Sequence, residues 1–205
     1  MTGLVTKSTG LWYEVKVDDQ RLNARLRGKF KLEGIKTTNP IAVGDEVVVE
    51  ANPQVKNEWV ITGIKKRTNY VIRQSPRKKG HDHLIASNID QGVLIATLKM
   101  PRTSIGFIDR FLVTLEAFRI PGVILFNKKD LYKTKDLNLY EELKAIYEPL
   151  GYKVRISSFL TDTNELRDLF AEKRSLQLIR ICQKRGNPYF VTQWLINRFQ
   201  LFIQV

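Results

Sequence analysis

Three polar side chains at the end of an apolar run, Asn127, Lys128 and Asp130, have the types and spacing to read a purine base. They close the string Val123-Ile124-Leu125-Phe126-Asn127-Lys128-Lys129-Asp130-Leu131. An Asp carboxylate accepts two hydrogen bonds at once, which suits the N1–H and the exocyclic N2 amine of guanine. Adenine has an acceptor at N1 and no N2 amine, so the same carboxylate rejects it. An Asn amide can approach the O6/N7 edge, and the alkyl stem of Lys128 can lie along the base plane. Such paired contacts discriminate by about 10⁴–10⁵, because the wrong base leaves polar groups unpaired. Asn-Lys-x-Asp alone is short enough to recur by chance as an ordinary polar turn. Here an apolar run precedes it that reads as a buried parallel strand, and ligands of open α/β sheets sit just past the carboxyl ends of strands.

A second strand, Tyr152 to Ser158, ends in two small hydroxyl residues, Ser157 and Ser158. A guanine site needs a tight loop there whose backbone N–H reaches O6, and small residues permit that approach. Between the two strands, Leu139, Leu143, Ile146, Tyr147 and Leu150 repeat at helical spacing over Leu137 to Leu150. Upstream, Gln91 to Thr97 reads as a buried strand. Ile105 to Phe118 reads as a helix on Ile108, Phe111, Leu112, Leu115 and Phe118, closed by Pro121-Gly122. A further helix is expected over Asn164–Phe170. Alternating strands and helices predict a parallel α/β sheet.

The charge is unevenly spread. Net charge is +13 over 205 residues. Residues 1–80 hold 16 Lys/Arg against 8 Asp/Glu, residues 81–172 hold 12 against 13, and residues 173–205 hold 6 against none. A basic N-terminal module points to a polyanion, most simply RNA. Its sequence is a series of short runs, Leu11–Val17, Arg21–Leu26, Ala42–Val49 and Glu58–Thr62, separated by Asp18-Asp19, Gly28, Gly34, Asn39-Pro40 and Asn52-Pro53. That pattern predicts a small all-β barrel of the OB-fold kind. Arg25, Arg27, Lys29 and Lys31 are its candidate RNA contacts, and one of Trp12 and Tyr13 should be core because neighbours in a strand face opposite ways. Arg77, Lys78 and Lys79 extend the basic surface in what reads as an interdomain linker. The expected organisation is a barrel at 1–68, a basic linker at 69–83, an α/β domain at 84–172 and an atypical tail at 173–205.

Other chemistry is poorly supported. Cys182 is the single cysteine, so there is no disulfide framework and no Cys-rich zinc site within these residues. His81 and His83 are the only histidines and lack further ligands, so no metal site is expected. No apolar stretch approaches the length of a membrane span and no leader is evident, so a cytoplasmic protein with no membrane partner is expected. A complete enzyme of another kind, such as a nuclease, finds no paired carboxylates or His-based constellation.

The order of these parts, with Asn88–Thr97, Phe107–Glu116, Pro121–Leu131 and Ile156–Ser158 following a basic barrel, resembles the circularly permuted GTPases that act in small ribosomal subunit maturation, the ribosome small-subunit-dependent GTPase A family. The resemblance covers about residues 3 to 172. It implies that Asn127, Lys128 and Asp130 read guanine, with Ser157 and Ser158 as the second guanine loop. It implies GTP/GDP as the nucleotide, Mg and a zinc domain elsewhere in the family's fold, and ribosomal RNA and the small ribosomal subunit as partners of a monomer. The chain departs from the pattern after the helix at 164–170. No Gly-x-x-x-x-Gly-Lys-Ser/Thr occurs anywhere, nor an Asp-x-x-Gly, nor a Cys/His cluster. Phosphoryl transfer rests on positioning and charge neutralisation. The chain is therefore expected to carry no catalytic residue, to lack the Mg and Zn sites, to bind GTP weakly or not at all, and not to hydrolyse it. Back-translating Arg185–Thr192 in a shifted frame permits Gly-Lys-Ser followed by apolar residues and Asn-Ala, so the tail is read as a frameshift product, the rival being a genuine basic helix. The alternative reading of the whole is a non-enzymatic RNA-binding module with a relic α/β domain.

Overall fold

The computed structural model describes residues 1–26, 40–55, 58–74 and 82–179. The chain divides into two compact units, Met1–Ile89 and Asp90–Val205.

The first unit is built on a closed barrel of β1 (Thr2–Ser8), β2 (Trp12–Val17), β3 (Gln20–Leu26), β4 (Glu46–Ala51) and β5 (Trp59–Ile64) in the order β1-β2-β3-β5-β4. Alternation sorts the faces. Val5, Tyr13, Val15, Ala24, Val47, Val49 and Ile61 fill the interior, while Trp12 lies at the surface. Closure leaves no strand edge free. The strand β3 pairs parallel with β5, and β1 closes the ring by pairing antiparallel with β4.

Two further strands, β6 (Tyr70–Gln74) and β7 (Asp82–Ser87), form an antiparallel ribbon in the same unit. The stretch expected as a basic linker at 69–83 is thus strand at both ends, and the boundary expected at 83/84 falls inside β7. Tyr70-Val71-Ile72 is a short apolar run that the basic residues after it had obscured. The ribbon is fastened to the segment before β4. The Ser87 N–H donates to the Val43 carbonyl at 2.9 Å, and the same segment is tied to β1 by the Gly44 N–H, which donates to the Val5 carbonyl at 2.9 Å. Gly44 has φ +92°, and a Cβ there would lie 2.1 Å from the Ser87 carbonyl oxygen, so only glycine fits. Asp45, fully buried, accepts from Arg67 Nε (2.7 Å), an Arg67 terminal nitrogen (2.6 Å), Ser87 Oγ (2.6 Å) and the Ala42 N–H (2.9 Å). Arg67 also donates to the Pro40 carbonyl at 2.7 Å.

The second unit is a parallel sheet of β8 (Gln91–Ala96), β9 (Gly122–Phe126), β10 (Lys153–Ile156) and β11 (Ser175–Ile179) in the order β10-β9-β8-β11. Every residue of β8 and β9 is buried, as expected of central strands covered on both faces. The helix α1 (Ile105–Ala117) turns Ile108, Phe111, Leu112 and Leu115 inward. It approaches so closely that a Cβ on Gly92 would meet Leu115 at 2.4 Å. On another face, Leu166, Leu169 and Phe170 of α3 (Thr163–Phe170) cover Val93, Ile95, Val123 and Leu125. The helix α2 (Thr134–Tyr147) buries Asp136, Tyr140, Leu143 and Tyr147, with Tyr140 edge-on to Phe126 at 5.9 Å between ring centroids. Of the expected stripe, Leu143 and Tyr147 are buried, Leu139 is half-buried, and Ile146 and Leu150 are exposed. Tyr140 and Asp136, one and two turns before Leu143, complete the buried stripe.

The tail expected from residue 173 begins with β11, a genuine strand whose residues pair with Gln91 to Ile95 of β8. Five residues of mixed polarity were swamped by the charge surplus that follows them. Gln91 ties the strand in, donating to Ser175 Oγ at 2.9 Å and to the Leu169 carbonyl at 2.8 Å. The remainder of the tail, residues 180–205, lies outside the described residues, as does the question of its frame.

Four phenols of this unit hold their protons above the ordinary range, Tyr132 through burial first of all. Burial raises Tyr140 first of all, with Glu141 and Glu148 adding to it. Burial and then the Asp109 carboxylate, which accepts the Tyr147 hydroxyl at 2.7 Å, raise Tyr147. Burial and Glu116 raise Tyr152. An unfolded chain releases these protons first, so the stability they supply is complete below about pH 10 and is lost as pH climbs beyond it. A near-ultraviolet absorbance titration should show these tyrosines ionising together with unfolding. Their ionisation in a chain that stays folded, as judged by circular dichroism, would contradict this.

Candidate guanine-binding site

The carboxyl ends of β9 and β10 are sewn together by backbone. The Ser157 N–H donates to the Phe126 carbonyl at 2.9 Å and the Lys129 N–H to the Ser157 carbonyl at 3.2 Å. The Asn127 N–H continues the ladder to the Ala96 carbonyl at 2.9 Å. The chain then reverses at Lys128, which has left-handed φ 70°, ψ 37°, into a single 3₁₀ turn over Lys129–Leu131. That reversal lifts Asp130 back over the strand ends.

All five residues expected to read guanine, Asn127, Lys128, Asp130, Ser157 and Ser158, meet at this one place. Ser158 Oγ donates to Asp130 Oδ1 at 2.6 Å; the Ser157 hydroxyl is buried and takes no part in that contact. Asn127 Oδ1 accepts from the Lys128 N–H (2.7 Å) and the Phe159 N–H (3.1 Å). With its oxygen committed, the Asn127 amide offers Nδ2 as a donor, the polarity that O6 and N7 of guanine require. Lys128 Nζ donates to the Met100 carbonyl at 2.6 Å.

The second loop departs from expectation. Its backbone N–H groups from Ser157 to Asp162 all have internal acceptors: the Phe126 carbonyl, Asp162 Oδ2, Asn127 Oδ1, Ser158 Oγ, and the Ser158 carbonyl for both Thr161 and Asp162. None is held out toward O6. The loop instead holds Ser158 Oγ against Asp130 and the Phe159 N–H against Asn127.

Sequence reasoning passed over three supports. The Tyr132 hydroxyl donates to the Asn127 carbonyl and accepts from the Leu98 N–H at 3.0 Å, tying the ends of β8 and β9; its burial raises the phenol above its ordinary value. Met100 supplies its carbonyl to Lys128. Asp162 holds Ser158, and the Thr161 hydroxyl and the Ser158 N–H lower its carboxyl below the usual range. Bonds to backbone atoms leave no sequence spacing to find them by.

On the barrel, the Arg25 guanidinium lies 3.9 Å from the centroid of the Trp12 ring, and its Nε is 3.2 Å from Glu58 Oε1. Tyr13 is core. The other expected RNA contacts, Arg27, Lys29, Lys31, Arg77, Lys78 and Lys79, lie outside the described residues. Among the described residues no cluster of three or more His, Cys, Asp or Glu is placed to hold a metal ion, and no helix is long and apolar enough to cross a membrane.

An OB-like barrel preceding a parallel sheet, in which the Asn-Lys-x-Asp strand end comes before β11, defines the class as circularly permuted GTPase-like. Comparison makes this specific. The model of the RsgA N-terminal domain matches residues 2–58, and that of the RsgA GTPase matches residues 64–179. The chain belongs to the RsgA GTPase family. It is 51% identical over 179 residues to the small ribosomal subunit biogenesis GTPase RsgA of Cytophaga hutchinsonii, covering 86% of this chain and 58% of the relative. Against the protein of the same name from Christiangramia forsetii, identity is 48%, covering 75% and 49%. Among solved structures, YjeQ from Thermotoga maritima aligns with a TM-score of 0.69 at 32% identity, covering 86% of this chain and 59% of that one. YloQ, described as a circularly permuted GTPase, aligns at 0.65 and 30%, covering 87% and 59%. The chain thus spans roughly half to three fifths of the relatives it matches.

Proposed function

We propose that this chain supplies the RNA-binding and guanine-reading parts of a small ribosomal subunit biogenesis GTPase and does not itself hydrolyse GTP. The observation that carries the reading is the convergence of Asn127, Lys128, Asp130 and Ser158 at the ends of β9 and β10, with donor and acceptor polarity complementary to guanine. The residues present fit the base and not the phosphates. The 205 residues contain no glycine-rich cradle ending in Gly-Lys-Ser/Thr, so nothing in the sequence supplies the Lys and Mg-binding hydroxyl that the β- and γ-phosphates need. Binding is accordingly to the nucleoside end, and weak. The barrel contacts ribosomal RNA of the small subunit through its basic surface, in the cytoplasm and as a monomer.

Amide chemical-shift perturbation by NMR tests the first half. GMP should shift Asn127, Asp130 and Ser158 and AMP should not, and GTP turnover by the purified chain should not exceed the uncatalysed rate. Equal shifts with both nucleotides, or measurable turnover, would overturn the reading. For the second half, RNA binding should weaken steeply with salt. Reversing the charges of Arg25, Arg27, Lys29 and Lys31 should cost about tenfold or more and flatten the salt dependence. Unchanged binding would remove the barrel from the RNA contact.

A further inference from the structure

We infer that Asp162 is a positioning residue for base recognition, acting through Ser158 to aim the carboxylate of Asp130. This rests on the guanine-reading assignment above and adds a residue that stands outside the two recognised motifs.

The reasoning follows the hydrogen bonds outward from the base. Asp130 is exposed and sits on a three-residue turn. Among the described residues its side chain has one hydrogen bond, from Ser158 Oγ. An Asp side chain at the surface rotates freely about two torsions, so this bond decides where the carboxylate points. Ser158 can fix it only if Ser158 is fixed. Its N–H donates to Asp162 Oδ2 at 2.8 Å, and its carbonyl accepts the Asp162 N–H at 2.9 Å. The two residues close the loop on themselves with a reciprocal pair. Ser158 Oγ accepts the Leu160 N–H at 3.3 Å, which leaves its one proton for Asp130. The other Asp162 oxygen is engaged too, by the Thr161 hydroxyl at 2.7 Å. A carboxylate is the strong choice for such a clamp, since a charged acceptor makes the shorter and firmer bond.

The clamp has a direction that a general stabilising role lacks. Asp130 faces the N1–H and N2 amine, whereas Asn127, oriented separately by the Lys128 and Phe159 N–H groups, faces O6 and N7. Loss of Asp162 should therefore be felt on one edge of the base. Inosine monophosphate keeps O6, N7 and N1–H and lacks only the N2 amine, so the ratio of GMP to IMP affinity reports on how well Asp130 is aimed.

The test is an NMR titration of the full 205-residue chain with GMP, IMP and AMP. In Asp162→Ala, GMP affinity should fall about tenfold, the scale of one charge-assisted hydrogen bond, and the GMP:IMP preference should collapse toward unity. Asp162→Asn keeps an acceptor oxygen for the Ser158 N–H and should stay within about twofold of wild type. Ser158→Ala should reproduce the collapse with the loop backbone intact. Combining it with Asp162→Ala should add little, because both remove one pathway. An equal fall for GMP and IMP in Asp162→Ala, or wild-type discrimination in Ser158→Ala, overturns the inference while leaving guanine reading in place. No preference for GMP over AMP in the wild-type chain overturns the guanine assignment itself, and the role of Asp162 with it.

Discussion

Replacing Asp130 with Asn should turn a guanine reader into a xanthine reader. The Asn oxygen still accepts N1–H, but its amide nitrogen now faces the N2 amine of guanine, donor against donor. Xanthine carries a carbonyl at that carbon, so the same amide nitrogen finds an acceptor there. The open position of Asp130 sets the size of the effect. A buried pairing of this kind is worth 10⁴–10⁵ in discrimination. For an exposed carboxylate the change is closer to one charge-assisted hydrogen bond, roughly 1.5–3 kcal/mol, or about 10- to 100-fold in the XMP:GMP ratio. Competition titrations followed by NMR measure that ratio. If Asp130→Asn kept the wild-type preference, Asp130 would not be reading the base.

The largest expected effect on stability lies in the other unit. Arg67 and Asp45 form a buried pair in which Asp45 is wholly covered and the Arg67 side chain is 9% exposed. Removing one partner strands a charge with no water to take its place, at a cost of about 3–5 kcal/mol. That is a large part of the 5–15 kcal/mol that typically holds a domain together. Arg67→Met or Asp45→Leu alone should therefore lower the denaturation midpoint steeply. The double variant should be less destabilised than the sum of the two, since no charge remains buried. Because Asp45 also takes the Ser87 hydroxyl and the Ala42 N–H, the double variant should not fully recover. Additive losses in the double-mutant cycle would show that the two side chains are not energetically coupled.

The barrel and the sheet were legible because their signals are local. Short alternating runs set off by Asp18-Asp19, Asn39-Pro40 and Asn52-Pro53 mark strands, and the all-apolar Val123–Phe126 marks a central one. Asn-Lys-x-Asp stands out because its candidate chemistry lies in four consecutive residues. Misreadings arose where a stronger signal lay alongside. The strands β6 and β7 flank a basic run whose charge masks them, and the charge surplus of the tail masks β11 in the same way. In α2, Asp136 and Tyr140 hold places in the buried stripe that an apolar count assigns to Ile146 and Leu150. The loop after β10 is hard to read from sequence for another reason. Two small residues after a strand say that a backbone can approach a ligand, but not whether its N–H groups are already spoken for, and that depends on Asp162 and Asn127 from either side.

The order of strands across the sheet also orders events in time. All five barrel strands are complete once residue 64 is made, so the barrel can close early in synthesis. The sheet cannot. Its central strand β8 ends at Ala96, yet the neighbour on one side, β11, begins only at Ser175. At about 5–20 residues per second, β8 spends several seconds with one side of its ladder open, carrying the apolar run Val93–Ala96. During that interval the nascent chain presents the kind of unpaired edge that recruits other strands. The arrival of β11 closes that side of β8.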